Sequence, residues 1–120
     1  MSATTPEGKV KAKIDAILKP YKASGRLWYT KTAGSMFGKN GVPDYVCHLL
    51  AVRMPPRSQE ENEFPSYART FFTIEAKAGK GKASDLQEAQ MKDIRAAGGV
   101  TLVINETNLQ ELQEFLSAHS

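Results

Sequence analysis

Hydrophobic residues recur at helical spacing in three segments of the chain. The first segment begins with Thr5 as a hydroxyl cap and Pro6 in the first turn, and we expect its helix to end where Pro20 interrupts the apolar stripe. The second begins at Ser84 and ends at a glycine pair that starts with Gly98, a typical helix stop. The three stripes consist of Val10, Ile14, Ile17 and Leu18, of Leu86, Met91 and Ile94, and of Leu112, Phe115 and Leu116 within residues 109–118.

Four further segments are rich in aromatic and β-branched residues and predict strands, at residues 27–32, 45–52, 69–77 and 100–104. The second of them is almost entirely apolar, which is typical of a central strand. We expect a glycine-rich loop over residues 33–41. We also expect an exposed loop over residues 54–67, because this stretch holds three prolines and three glutamates.

The order of these elements predicts the fold class. Helices and strands follow one another as α-β-β-β-α-β-α, with one helix crossing between the third and fourth strands. Such a crossover joins parallel strands, whereas the loop between the second and third strands allows an antiparallel hairpin. The pattern therefore predicts an α/β fold in which helices flank a mixed sheet.

Composition limits the class of protein. A chain of 120 residues and 13.2 kDa is expected to form a single domain over residues 1–120. Its 41% hydrophobic and 24% charged residues exclude a wholly disordered chain, and no apolar run approaches the ~18 residues of a membrane helix, so no membrane partner is expected. Cys47 is the only cysteine, so no internal disulfide forms and we expect a cytoplasmic, reduced setting.

Basic residues are concentrated in the first third of the chain. The net charge is +3, but residues 8–39 hold eight lysines and arginines and one acid, Asp15. This stretch could face phosphates through Coulomb attraction and counterion release. A solvated, lysine-rich helix face explains the same charges, and the two interpretations stay open at this point.

Two short motifs place carboxylates where predicted strands begin and end. Asp44 follows Pro43 at the start of the second strand, and Glu75-Ala76-Lys77 ends the third. If these strands pair as a hairpin, Asp44 and Glu75 become neighbours at one end of the sheet. Two carboxylates form a hard oxygen site suited to Mg²⁺ or Mn²⁺, and a lysine beside them could position water and offset charge on a phosphate. A solvated ion pair at a strand end is the alternative.

The order of these motifs resembles the virus-type replication-repair nuclease (VRR-NUC) domain of the PD-(D/E)xK nuclease superfamily. The resemblance covers residues 7–105 and rests on GVPDYV, a hydrophobic strand that carries IEAK, then GKGKASDLQ at a helix start, AAGG at its end, and the apolar strand VTLVI. It implies a restriction-endonuclease-like fold and divalent-metal-dependent hydrolysis of DNA phosphodiesters.

The resemblance also implies roles for individual residues. Asp44 and Glu75 would be the metal-binding carboxylates. Lys77 would position the attacking water and offset charge on the scissile phosphate. The Ala76 carbonyl would be a further metal ligand, and Gln87 would be the helix glutamine beside the active site.

Several residues would support this site. Glu7 is the only candidate for an early-helix glutamate that joins the metal ligands, although a helix-dipole role explains it equally well. Trp28 and Tyr29 could stack on exposed bases, but at least one of them is expected in the core. The lysines that could grip DNA phosphates are Lys31, Lys39, Lys80 and Lys82.

Stand-alone members of this family are viral or bacterial and act as homodimers on branched DNA. We therefore expect a homodimeric nuclease of phage or prophage origin that resolves four-way junctions. A flap- or nick-directed nuclease with the same chemistry is the closest alternative, and a DNA-binding module that has lost catalysis is the next. No organic cofactor is expected, because the GKGK stretch lacks the spacing and hydroxyl of a P-loop.

Overall fold

The computed structural model describes residues 5–32, 41–53 and 66–120 of the chain. The predicted loop residues outside these ranges, including Lys39, lie outside the described part of the chain. The elements follow the predicted order: α1 (Pro6–Ala23), β1 (Leu27–Lys31), β2 (Tyr45–Arg53), β3 (Ser66–Ala76), α2 (Asp85–Ala96), β4 (Val100–Ile104) and α3 (Leu109–Ala118). None of the described helices is long and apolar enough to cross a bilayer.

The four strands form one mixed sheet in the order β1-β2-β3-β4. The hairpin prediction is confirmed, because β2 and β3 pair antiparallel from Tyr45 opposite Ile74 to Arg53 opposite Ser66. The crossover prediction is also confirmed, since β3 and β4 pair in parallel and α2 connects them along the chain. The α/β fold with helices flanking a mixed sheet is therefore confirmed.

One face of the sheet carries the main core. Side chains of α1 and α3 pack there against alternate residues of all four strands, and Tyr45, Phe72, Ile74 and Ile104 are fully buried. We call this the closed face. Cys47 also points into it, and burial raises the pKa of its thiol to about 12, which fits the inert packing role expected of a lone buried cysteine.

The described residues cover the opposite face only in part. Helix α2 lies over its β3–β4 side, where Arg95 donates a hydrogen bond to Thr101 and the buried Met91 points inward. The remaining part of this face, which we call the open face, consists of Trp28, Thr30, Val46, His48, Leu50, Val52, Tyr67, Arg69 and Phe71.

Two predicted boundaries are wrong. Helix α1 does not end at Pro20 but continues to Ala23. Pro20 removes a single backbone donor on an exposed face, and its own carbonyl still accepts from the Ser24 N–H at 3.0 Å. Strand β3 begins at Ser66 rather than at residue 69, because Ser66 and Tyr67 complete the ladder with the last residues of β2.

Candidate active site

The two predicted carboxylates meet at the end of the β2–β3 hairpin. The paired part of the β2–β3 ladder ends with Tyr45 opposite Ile74, so the next step of the register places Asp44 opposite Glu75. Residues opposite each other in an antiparallel pair point to the same face of the sheet. The sheet therefore brings Asp44 and Glu75 together without any contribution from a distant loop.

Pro43 affects the backbone of Ala76, the residue that follows Glu75. One further step of the register places Pro43 opposite Ala76, and proline has no N–H with which to continue the ladder. The Asp44 Oδ2 atom instead accepts the Ala76 N–H at 2.8 Å. Because the N–H and C=O of a strand residue point to the same side, the Ala76 carbonyl also faces the Asp44 side. The carbonyl predicted as a metal ligand therefore lies on the Asp44 side of the strand.

Glu75 is held from above by α2. Its Oε1 atom accepts a hydrogen bond from Gln87 Nε2 at 2.6 Å and lies 3.6 Å from Lys77 Nζ. The side-chain amide oxygen of Gln87, Oε1, accepts the Ser84 backbone N–H at 2.8 Å, while the Ser84 hydroxyl accepts the Gln87 backbone N–H. This capping box fixes which side of the Gln87 amide faces Glu75, since the oxygen is already used at the helix start.

The Glu75 carboxyl titrates unusually. It is 3% exposed, and burial, followed by the charge of Asp44, raises the pKa of Glu75 to about 8, although Lys77 acts in the opposite direction. Near neutral pH and without a cation, Glu75 therefore holds a proton for much of the time. A cation bound between the two carboxylates would displace that proton.

Lys11 is a site residue that the sequence did not single out. Its Nζ atom lies 3.4 Å from Asp44 Oδ1 and 3.8 Å from Glu7 Oε2. Lys11 thus links Glu7 to Asp44. Among the described residues, no three His, Cys, Asp or Glu side chains are grouped so that they could hold a metal ion, and a metal-binding role of Glu7 stays a prediction.

Gly41 joins the start of this hairpin strand to α2. Its φ of +84° lies in the region that favours glycine. A Cβ atom at this position would lie 2.6 Å from the backbone carbon of Leu86. Gly41 therefore approaches the first turn of α2 closely, next to Gln87.

The predicted DNA-contacting lysines have different surroundings. Lys31 forms an ion pair with Asp15, and Asp15 also accepts a hydrogen bond from the Tyr45 hydroxyl at 2.8 Å. Lys80 and Lys82 are exposed in the connection from β3 to α2, directly after the active-site strand. Of these three lysines, the two in the connection are the better placed to meet a phosphate near Glu75.

The donor set fits a hard divalent cation. Asp44 and Glu75 supply carboxylate oxygens, and Ala76 supplies a carbonyl for which Pro43 offers no donor. Mg²⁺ is commonly held by one or two carboxylates, with water and substrate phosphate completing its shell. No soft sulfur or imidazole ligand belongs to this set, so its chemistry favours Mg²⁺ or Mn²⁺.

Comparisons with protein-family models, with curated proteins and with solved structures find no match to this chain. The functional argument therefore depends on the residues of the chain and their arrangement.

Proposed function

We propose that this protein is a divalent-metal-dependent DNA endonuclease that hydrolyses phosphodiester bonds at the Asp44–Glu75 site. The observation that carries the proposal is the buried Glu75 opposite Asp44, with Lys77 at 3.6 Å and the Ala76 carbonyl on the same side. Charge-compensating groups beside a phosphate are the main requirement of phosphodiester hydrolysis. The resemblance to VRR-NUC domains is consistent with this chemistry.

Each residue has a defined task in this proposal. Asp44 and Glu75 hold the cation together with the Ala76 carbonyl, and the bound cation supplies Lewis-acid polarisation of the phosphate. Lys77 donates hydrogen bonds to the attacking water and offsets charge that develops on the phosphate oxygens. Gln87 is a positioning residue, because its amide holds the Glu75 carboxylate without touching the substrate.

The surrounding charge favours nucleic acid as the substrate. Lys80 and Lys82 follow the catalytic strand, and lysine side chains in such positions contact backbone phosphates without regard to sequence. We further propose a homodimer that presents two sites to the opposing strands of a four-way junction, since a two-fold dimer matches the symmetry of that substrate. A flap nuclease uses the same site on a different DNA structure.

Cleavage of end-labelled DNA tests the chemistry. Four-way junction, 5′-flap, single-stranded and duplex DNA are incubated with the protein and Mn²⁺ or EDTA. We expect metal-dependent cuts that Lys77→Ala slows by about 100-fold or more. Lys92→Ala, which removes an exposed lysine from α2, is the matched control and should cut normally. Cleavage that persists in EDTA, or at full rate in Lys77→Ala, contradicts the proposed site.

Metal binding is tested separately by thermal unfolding. Mn²⁺ should raise the melting temperature of the wild-type protein, because a ligand that binds the folded state stabilises it. The increase should disappear in Asp44→Asn, which keeps the size of the side chain and removes its charge. An equal increase in both proteins would show that the cation binds elsewhere. Binding of branched DNA without any cleavage would instead favour a module that has lost catalysis.

A further inference from the structure

Three aromatic side chains form a row across the open face of the sheet. Trp28 lies opposite His48 in the β1–β2 ladder, and His48 lies opposite Phe71 in the β2–β3 ladder. Trp28 is 61% exposed and Phe71 43% exposed, whereas His48 is half-buried between them. Neighbouring strands are about 4.8 Å apart, so the three rings are carried on adjacent, evenly spaced strands.

The rest of the open face has matching chemistry. Tyr67, 58% exposed, and the exposed Arg69 extend the row along β3. The nine residues that define the open face include one arginine and no aspartate or glutamate. Aromatic rings combined with a cation, in the absence of carboxylates, match a ligand that offers flat rings and negative charge.

Packing fixes the position of Phe71. A Cβ atom on Gly99 would lie 2.8 Å from Phe71 Cδ2 and 2.7 Å from Ile94 Cγ2, so the turn after α2 closes tightly on one edge of the ring. The other part of the ring remains exposed. A ring that is held at one edge and open at the other loses little side-chain entropy when a ligand stacks on it.

The aromatic row lies on the same face of the sheet as the carboxylate pair. Phe71 and Glu75 are both on β3 and differ by an even number of residues, so they project from the same side. Four residues of strand separate them by about 13 Å. A DNA strand that crosses the aromatic row therefore leads towards Asp44 and Glu75.

We propose that the open face is a base-stacking platform for a single-stranded segment of the DNA substrate, with Trp28 and Phe71 as its principal rings. The proposal rests on the proposed nuclease function and deepens it by favouring the flap substrate over the four-way junction: the DNA would offer unpaired bases near the scissile bond, as a flap or a single-stranded tail does. Bases inside a duplex are stacked on each other, so their faces are not accessible to the platform.

Trp28 is the only tryptophan in the chain, so its fluorescence reports on the platform directly. The protein is titrated with a single-stranded oligothymidylate in EDTA, where no cleavage can contribute. An oligonucleotide of equal length with abasic sites has the same phosphates but no rings, and a duplex of equal length has no unpaired bases. We expect quenching by the single strand, and little quenching by the abasic strand or the duplex.

Substitution at Trp28 completes the binding test. Trp28→Ala should bind the single strand about tenfold more weakly, since stacking on an aromatic ring contributes substantially for each base. Trp28→Phe should recover most of the affinity, and Leu86→Ala, which truncates another exposed apolar residue, should bind as the wild-type protein does. Fluorescence anisotropy of a labelled oligonucleotide measures all four proteins without relying on the tryptophan.

Two results would overturn the platform. Equal affinity for the abasic and normal strands would mean that phosphates alone are recognised. A concentration-dependent dimer that buries Trp28 in the absence of DNA, and that Trp28→Ala dissociates in sedimentation equilibrium, would assign the open face to a second copy of the chain. Because these measurements use no metal, they stand even if the nuclease assay fails, and a failed platform leaves metal-dependent cleavage intact.

Discussion

Replacing Glu75 with glutamine should remove the contribution of this carboxyl to the pH dependence of stability. The folded protein raises the pKa of Glu75 from 4.5 to about 8, first through burial and then through the charge of Asp44. Between these two values the folded state holds a proton that the unfolded state has released. The stabilisation from this group is complete below the unfolded pKa, falls as pH rises through the window, and is gone above about pH 8.

The expected size follows from that difference. A pKa difference of one corresponds to about 1.4 kcal/mol, so the whole window corresponds to at most about 5 kcal/mol, and partial access of water reduces this to a few kcal/mol. Glutamine has nearly the same shape and does not titrate. Its oxygen can still accept the hydrogen bond from Gln87. Glu75→Gln should therefore gain stability relative to wild type steadily between about pH 4.5 and pH 8.

Urea unfolding of both proteins in EDTA, at several pH values from 4.5 to 9, measures this change. The other titrating groups are shared, so the difference between the two free energies of unfolding reports on Glu75 together with its interaction with Asp44. Glu88→Gln, which removes an exposed carboxyl from α2, is the control and should follow wild type. A difference between Glu75→Gln and wild type that stays constant across this range would refute the argument that Glu75 is desolvated beside Asp44.

Three further changes test how the site is assembled. Gln87→Glu keeps an oxygen for the Ser84 N–H but places a further carboxylate, besides Asp44, against Glu75, so unfolding without Mn²⁺ should show little loss of stability while cleavage falls by more than tenfold. Ser84→Ala should have the opposite effect, with about 1 kcal/mol of stability lost and cleavage retained. Gly41→Ala should destabilise the protein by more than Gly25→Ala, because both glycines have positive φ but only Gly41 would press a Cβ against α2, and chemical denaturation of the pair measures the difference. If Lys11 contacts the substrate, Lys11→Met should mainly lower cleavage as salt is raised and should change the Mg²⁺ requirement little. If its charge competes with the cation at Asp44, Lys11→Met should lower the Mg²⁺ concentration needed for half-maximal cleavage. An unchanged Mg²⁺ dependence and rate would remove Lys11 from the site.

Much of the fold was predictable because hydrophobic periodicity and turn chemistry agree. The capping box at Ser84 and the glycines that end α2 set one helix on sequence alone. The errors occurred where backbone hydrogen-bond partners determine the end of a helix or the start of a strand. Pro20 sits near the end of α1, where one missing donor changes little, and the early start of β3 depends on pairing with β2 across a loop whose composition predicts no structure.

The candidate site was predictable only in part. Asp44 and Glu75 could be identified as neighbours because strand register converts sequence positions into contacts. Lys11 could not, since it is one of many lysines in a basic stretch and only the packing of α1 across the end of the sheet brings it to Asp44. The alternation of side chains along β1 places Trp28 and Tyr29 on opposite faces. The ring centroids of Tyr29 and Tyr45 are 6.2 Å apart on the closed face, so Trp28 points to the open face.

The residues that end the hairpin are also the ones that create the site. Pro43 cannot extend the ladder, so Asp44 accepts the Ala76 N–H with its side chain, and the Ala76 carbonyl points to the Asp44 side. Helix α2 covers the same strand end, which buries Glu75 and raises its pKa to about 8. An apolar residue at position 75 would fill this place without a buried acid, so stability alone does not account for the glutamate. Functional sites commonly contain local features that reduce stability. Here two such features, the ladder that stops at Pro43 and the buried acid at position 75, occur at the same end of the sheet.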